Sequence, residues 1–125
     1  MIRSLYQKLA DLAAREFDDI VSRTELVGGT LSSPNKLRLH FRDASFMDIW
    51  LSLDGDYAYH WERRRQTGEI FRWDNAPHHR DVRTYPHHFH KGDETNVVES
   101  SLPEDPVFAL REVLSFVRSS LESAV

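Results

Sequence analysis

Hydrophobic residues recur with a helical period at both ends of the chain. Near the N-terminus they form one stripe, with charged residues on the other sides, at Leu5, Leu9, Leu12, Ala13 and Ile20. Near the C-terminus a second stripe contains Val107, Leu110, Leu114, Val117 and Leu121. This stripe begins just after Asp105 and Pro106, which are typical of an N-cap and a first helical residue. The pattern therefore predicts an amphipathic helix at each end.

Between the two predicted helices the hydrophobic period changes to two, which is typical of half-buried strands. The alternation runs through four segments, at residues 36–42, 47–53, 57–62 and 71–74. Short turns separate these segments, so the pattern predicts an antiparallel meander. Residues 96–100 have the character of a fifth short strand, whereas residues 25–33 fit either an edge strand or a loop.

The strand registers follow from the requirement that directly opposite residues share a face of the sheet. Three-residue loops keep one face apolar, and they predict a buried row of Leu39, Ile49, Trp61 and Trp73. On the other face they predict two polar rows, one of His40, Asp48, Glu62 and Arg72, the other of Arg38, Trp50, His60 and Asp74. A slip of two residues would keep both faces and change the rows.

These elements predict an α+β fold in a single domain that spans residues 1–125. An antiparallel sheet of four to five strands forms a meander, and the N-terminal and C-terminal helices pack on one of its faces. A histidine-rich loop lies on the other face. Residues 75–94 supply this loop, since they are rich in His, Pro, Asp and Arg and have no clean period. A loop of this length in a compact domain is functional or disordered, and Tyr85 and Phe89 favour an ordered one.

Six of the seven histidines lie between residues 57 and 92. The same segment contains seven Lys and Arg residues against four Asp and Glu residues, although the whole chain has a net charge of −4. Solvated surface rarely concentrates one residue type in this way, so we predict that the segment forms the functional face. The negative net charge argues against a protein that coats duplex nucleic acid, and it leaves room for a small basic cleft.

Eight residues of this segment are candidates for catalysis: His60, Arg72, Asp74, His78, His79, His87, His88 and His90. In the predicted register His60 lies opposite Asp74, with Arg72 and Glu62 beside them. A carboxylate orients an imidazole and stabilises its charged form, and an arginine holds a phosphate or a developing negative charge. A ladder of cross-strand ion pairs on a solvated sheet would account for the same residues.

The two Pro-His-His units and His90 have three interpretations. One is acid/base chemistry on a phosphodiester without a metal, in which one histidine takes the proton of a ribose hydroxyl and another protonates the leaving oxygen. The second is a metal site that combines His87 or His88 with His90, joined by His78 or His79, with Asp74 as an optional further ligand. The third is a loop whose histidines hydrogen-bond backbone groups and hold its shape. Because the spacing matches no standard zinc pattern, no cofactor is predicted, and a divalent metal stays open as an alternative.

Composition narrows the class of protein further. The chain contains no cysteine, which removes disulfides, thiolate metal sites and a cysteine nucleophile. No apolar run approaches the roughly 20 residues of a membrane span. The N-terminus mixes apolar with charged residues and differs from a signal peptide. We therefore expect a soluble cytoplasmic protein that has no membrane partner.

Three segments carry a family resemblance, at residues 59–61 (YHW), 71–79 (FRWDNAPHH) and 85–93 (YPHHFHKGD). With them, about residues 36–120 resemble the TumE family of small bacterial and archaeal toxin–antitoxin toxins. The Asp-Asn-Ala-Pro-His-His and Pro-His-His-x-His motifs are the specific part, and the N-terminal helix is the least family-like. Tyr85 stands where phenylalanine is common in the family, and Phe89 stands where lysine is common. The resemblance implies a toxin whose partner is a cognate antitoxin from the adjacent gene.

Two hypotheses from different classes follow. The first is a toxin of a toxin–antitoxin system that acts as a metal-independent endoribonuclease, with RNA as substrate and histidine acid/base chemistry. Its support from other small toxins, many of which cleave RNA, is by analogy. The second is a non-catalytic protein whose histidine-rich loop binds a divalent metal or a protein partner.

Overall fold

The computed structural model describes residues 1–123. Its elements in chain order are α1 (Ile2–Glu16), β1 (Val21–Val27), β2 (Lys36–Phe41), β3 (Phe46–Leu51), β4 (Tyr57–Arg63), α2 (Arg64–Thr67), β5 (Glu69–Asp74), β6 (His88–Gly92), β7 (Val97–Glu99) and α3 (Pro106–Ser123). The strands form one sheet in the order of the chain, and every neighbouring pair is antiparallel. The long helices α1 and α3 pack on the same face of this sheet. Within residues 1–123, no helix has both the length and the apolar character that crossing a membrane requires.

The α+β class, the terminal helices and the antiparallel sheet are confirmed, but the sheet has seven strands rather than the predicted four to five. β7 is the predicted fifth strand. β1 is an edge strand that buries only its first residue, Val21, so it lacks the alternation that would have distinguished it from a loop. β6 lies inside the segment predicted as a loop. Its period is hidden because the neighbours His88 and Phe89 are both buried, on opposite faces.

The observed registers differ from the predicted ones by two residues in three successive hairpins. Leu39 pairs with Met47, Met47 with Trp61, and Trp61 with Phe71. The predicted rows are therefore wrong. Because the slip is an even number, each residue of these strands still lies on its predicted face.

Turn chemistry explains the slip in the first and third of these hairpins. In the first hairpin the Asp43 side chain accepts a hydrogen bond from the Ser45 N–H at 3.0 Å, and the Phe41 N–H donates to the Ser45 carbonyl at 2.9 Å. This turn begins one residue earlier than the predicted loop. In the third hairpin the helical turn α2 is capped by Gly68, which has a left-handed backbone with φ of 83°. The helical turn makes that connection longer than three residues.

The hydrophobic core lies between the two long helices and the apolar face of the sheet. Phe116 of α3 meets four aromatic rings there, with centroid distances of 5.1 Å to Phe71, 5.3 Å to Trp73, 5.6 Å to Phe89 and 6.3 Å to Trp61. Edge-to-face packing of this kind is favourable beyond the burial of area. The cluster joins β4, β5 and β6, and these are the strands whose opposite faces carry the candidate residues.

Tyr6 attaches α1 to the sheet. Its side chain is buried, and its hydroxyl donates to the Asn35 carbonyl at 2.9 Å while it accepts from the Leu51 N–H at 3.0 Å. Burial raises the pKa of Tyr6 above its ordinary value of 10.0, so the hydroxyl keeps its proton and both hydrogen bonds.

We expect Phe116→Ala to lower the free energy of unfolding by about 2 kcal/mol, because it removes a half-buried ring that packs against four others. Phe108→Ala is the matched control on the same helix, since Phe108 is 56% exposed. Its effect should stay within about 0.5 kcal/mol. Urea denaturation followed by tryptophan fluorescence measures both values. Equal losses for the two variants would contradict this packing of α3.

Candidate active site

A cleft of about 430 Å³ opens on the sheet face opposite the helices, and we call it the histidine cleft. Its lining residues are His60, Ile70, Arg72, Asp74, Ala76, His78, His79, His88, His90 and Glu94. Seven of the eight candidate residues therefore lie together, and the eighth, His87, lies elsewhere. Three adjacent strands, β4, β5 and β6, and the loop at residues 75–87 supply the seven.

Strand alternation places these side chains on one face. In β5, Arg72 and Asp74 lie on either side of Trp73, which points into the core. Arg72 lies opposite His60 in β4 and opposite His90 in β6. The result is a cross-strand row, His60–Arg72–His90, with the arginine in the middle. The two-residue slip corrects the predicted pairing, because Arg72 rather than Asp74 is the residue opposite His60.

Asp74 is the buried anion of the histidine cleft, with 4% of its surface exposed. Its Oδ2 accepts a hydrogen bond from Arg72 Nε at 2.9 Å, and its Oδ1 accepts one from the Ala76 N–H at 3.0 Å. Oδ1 also lies 3.1 Å from His88 Nε2, and Oδ2 lies 3.7 Å from His90 Nε2. One carboxylate thus holds together β5, β6 and the start of the loop.

His88 and His90 are oriented by backbone carbonyl groups. Nδ1 of His88 lies 2.9 Å from the Pro86 carbonyl oxygen, and Nδ1 of His90 lies 2.9 Å from the Glu94 carbonyl oxygen. Because a carbonyl oxygen only accepts, each Nδ1 carries a hydrogen and donates it. The Nε2 atom of each ring therefore faces the cleft on the side of Asp74.

His79 approaches these two rings from the loop. Its backbone has a φ of 60°, in the left-handed region that residues with side chains rarely occupy. Its ring centroid lies 4.8 Å from that of His88 and 5.5 Å from that of His90. One ring nitrogen from each of the three histidines lies within 4.8 Å of the other two.

His60 lies at the other end of the row and has different partners. Its Nε2 donates to Glu62 Oε1 at 3.2 Å, and its Nδ1 accepts from Arg72 Nη1 at 3.4 Å. Burial lowers the pKa of His60 below its ordinary value of 6.5. The charge of Arg72 lowers it further, and the hydrogen bond to Glu62 offsets part of this. His60 is therefore a neutral imidazole at pH 7, with a lone pair on Nδ1.

The two remaining histidines differ in position. His78 lies at the exposed rim of the histidine cleft, with its ring centroid 6.4 Å from that of His79. His87 lies outside the cleft and stacks on Tyr57, with ring centroids 5.8 Å apart and 2.9 Å between Nδ1 and the tyrosine hydroxyl. Its neighbour His88 points to the opposite face, as strand alternation requires. These contacts support a structural role for His87.

Sequence reasoning did not select two glutamates that contribute to the site. Glu62 accepts the hydrogen bond that determines the tautomer of His60, and Glu94 supplies the carbonyl that orients His90. Glu62 is two residues from His60 in the same strand, so the period of two already places both on one face. Glu94 is recruited through its backbone, which no side-chain pattern indicates.

Comparison with known families identifies the chain. Residues 9–121 match the family described as Toxin TumE. The chain belongs to the TumE family. The match confirms the resemblance carried by the histidine motifs and extends it into α1, which the motifs did not cover. Membership of this toxin family implies an antitoxin as the partner. The comparisons with curated proteins and with solved structures found no match.

We expect Asp74→Asn to lower the free energy of unfolding of this TumE family protein by about 3 kcal/mol. The amide has one accepting atom instead of two and no charge, so buried donors lose their partner. Asp81→Asn is the matched control, because Asp81 is exposed in the neighbouring loop, and its effect should stay within about 0.5 kcal/mol. Thermal and urea denaturation measure both. A small and equal effect of both substitutions would show that the Asp74 contacts do not hold the cleft together.

Proposed function

We propose that this TumE family toxin cleaves RNA by histidine acid/base chemistry and needs no metal ion for the reaction. The observation that carries the proposal is the cross-strand row in which His60 and His90 flank Arg72. In-line displacement at phosphorus requires a proton acceptor and a proton donor on opposite sides of the phosphate, with positive charge between them. The row has this arrangement.

Arg72 is the phosphate-binding group in this proposal. Its side chain is 40% exposed, and Asp74 holds it through Nε. The guanidinium is thereby oriented before substrate binds, which is the condition for efficient electrostatic stabilisation of a transition state. An arginine also suits the planar, two-pronged recognition of phosphate oxygens.

The reaction is a transesterification of the RNA backbone. Arg72 Nη1, which lies 3.4 Å from Nδ1 of His60, turns to the phosphate when substrate binds. Nδ1 of His60 then accepts the proton of the ribose 2′-hydroxyl, and the 2′-oxygen forms a bond to phosphorus. The bond from phosphorus to the 5′-oxygen breaks, and that oxygen takes a proton from Nε2 of His90. The products are a 2′,3′-cyclic phosphate and a free 5′-hydroxyl, so atoms and charge balance. Asp74 lies 3.7 Å from His90 Nε2 and pairs with that ring when it is protonated.

Trp50 supplies a surface for a nucleotide base beside the phosphate. It lies on the polar face as predicted, and it is 45% exposed. It lines a second cleft of about 270 Å³ that shares Arg72, Asp74 and Ala76 with the histidine cleft. Stacking of a base on an exposed aromatic ring is the usual way in which proteins hold single-stranded nucleic acid. Single-stranded RNA is therefore the form of substrate that we favour.

In a chelator-containing buffer, the purified protein should cleave single-stranded RNA and leave cyclic phosphate ends. His60→Gln and Arg72→Ala should each reduce the cleavage rate by about 100-fold or more, since each removes a group that acts in the transition state. His40→Gln is the matched control, because His40 lies on the same sheet face but pairs with Glu25 at 2.6 Å. When the same variants are expressed in cells, His60→Gln and Arg72→Ala should be less toxic than the unmodified protein, and His40→Gln should remain toxic. An equal loss in the control, or no cleavage without metal, would contradict the proposal.

The pH dependence tests the role of His60 separately. Because its pKa is lowered, His60 remains a proton acceptor down to the ordinary histidine value of 6.5. Cleavage should therefore fall on the acid side only at pH values below 6.5. Initial rates between pH 4.5 and pH 8, in steps of about half a unit, measure this limb. An acid limb centred above the ordinary value would assign the acceptor to another group.

A further inference from the structure

We propose that His79, His88 and His90 form a binding site for one divalent transition-metal ion of the zinc type, and that the ion-bound protein is the inactive form. The site itself is independent of the proposed function, whereas the loss of activity rests on it. Imidazole nitrogen is a preferred ligand of Zn²⁺, Ni²⁺ and Cu²⁺, and three histidines make a common zinc site.

The positions of the three rings fit such an ion. One nitrogen from each ring lies within 4.8 Å of the other two. Ligands of a tetrahedral zinc ion at about 2.0 to 2.1 Å lie roughly 3.4 Å apart, so the rings need to approach by about 1.4 Å at most. His79 is the exposed member and belongs to the loop, so rotation of its side chain can supply most of this change.

The hydrogen bonds behind the rings are the stronger argument. Metal-binding histidines almost always donate their other ring N–H to a carbonyl or carboxylate, which leaves the lone pair on the nitrogen that faces the metal. His88 and His90 both do this, through Nδ1 to the carbonyl groups of Pro86 and Glu94 at 2.9 Å each. His60, in the same cleft, has no backbone partner for either ring nitrogen among the hydrogen bonds of the described chain. Among the described histidines of the cleft, a ring hydrogen bond to a backbone carbonyl is thus found at His88 and His90, which both belong to the proposed metal site.

Asp74 supplies the negative charge that a cation needs. Its Oδ1 lies 3.1 Å from His88 Nε2, while Arg72 binds Oδ2. An ion bound to the histidines would lie next to Oδ1 of this carboxylate, while the Arg72 guanidinium binds Oδ2 on the other side. The carboxylate therefore offsets part of the cost of placing a cation in a largely buried site.

Metal binding and catalysis compete for the same atom. The ion would occupy the Nε2 lone pair of His90, which is the nitrogen that carries the proton to the leaving oxygen in the proposed reaction. A metal-bound imidazole cannot carry that proton. The bound ion would therefore switch off cleavage by removing the donor, and a chelator would restore it.

Binding is tested first, without reference to activity, by competition for Zn²⁺ between the tag-free protein and a chromophoric chelator. We expect one ion per chain, and an affinity for His79→Ala that is lower by about 10-fold or more. His78→Ala is the matched control, since His78 is the adjacent exposed histidine at the rim, and its affinity should equal that of the unmodified protein. Substitution with Co²⁺ gives a second readout, a tetrahedral absorption spectrum that His79→Ala weakens. Absence of one-to-one binding, or equal effects of the two substitutions, would overturn the site.

The second arm measures RNA cleavage by the unmodified protein, with chelator and then with one equivalent of Zn²⁺. Cleavage that stops on addition of zinc and returns with chelator supports the inactive metal-bound form. Cleavage that requires zinc would contradict the claim that the metal-bound protein is inactive, and it would also contradict the metal-independent reaction. The binding result would stand. Absence of cleavage in both conditions would overturn the proposed function and the inhibition, again without affecting the binding result.

Discussion

The interaction on which the site depends is the burial of the Asp74 carboxylate among cationic and hydrogen-bonding neighbours. A carboxylate this deeply buried is tolerated only when donors surround it, and here Arg72 and the Ala76 N–H donate to it while the His88 ring lies 3.1 Å away. Each of these contacts also fixes a group of the histidine cleft. Arg72 in turn reaches His60 through Nη1. The arrangement of the cleft is therefore a consequence of satisfying one buried charge.

The two faces of β5 and β6 tie the site to the core. Between the side chains that face the cleft, Trp73 and Phe89 point the other way and stack at 4.4 Å. Phe116 covers both rings from α3. The backbone positions of the cleft residues are thus set by aromatic packing on the opposite face. A rigid sheet, rather than a flexible loop, carries most of the candidate residues, which favours precise placement of reacting groups.

The elements that depend on hydrophobic period alone were predictable, and those that depend on local contacts were not. The helices and the faces of β2 to β5 follow from patterns that repeat over several residues. Strand register does not follow from these patterns, because a slip of two residues leaves the hydrophobic period intact. The turn at Asp43 and the helical turn α2 set the register of their hairpins. β6 was not predicted as a strand. Its neighbours His88 and Phe89 are both buried, so the strand lacks the usual alternation of exposed polar and buried apolar residues. Next to β6, alternation also turns His87 away from His88, and its contact with Tyr57 lies outside the cleft.

The alternation of the strands has a genetic consequence. In a host without the antitoxin, only cells that carry a disabling change in the toxin survive. Substitutions recovered on the core side, at positions such as Trp73 or Phe89, disable the protein by lowering its abundance. If the proposed reaction holds, those recovered at Arg72 or His90 leave a folded protein at normal abundance that has lost its activity. Within β5 and β6, substitutions at adjacent codons therefore affect different properties of the toxin. Odd-numbered positions control its abundance, and even-numbered positions control its activity.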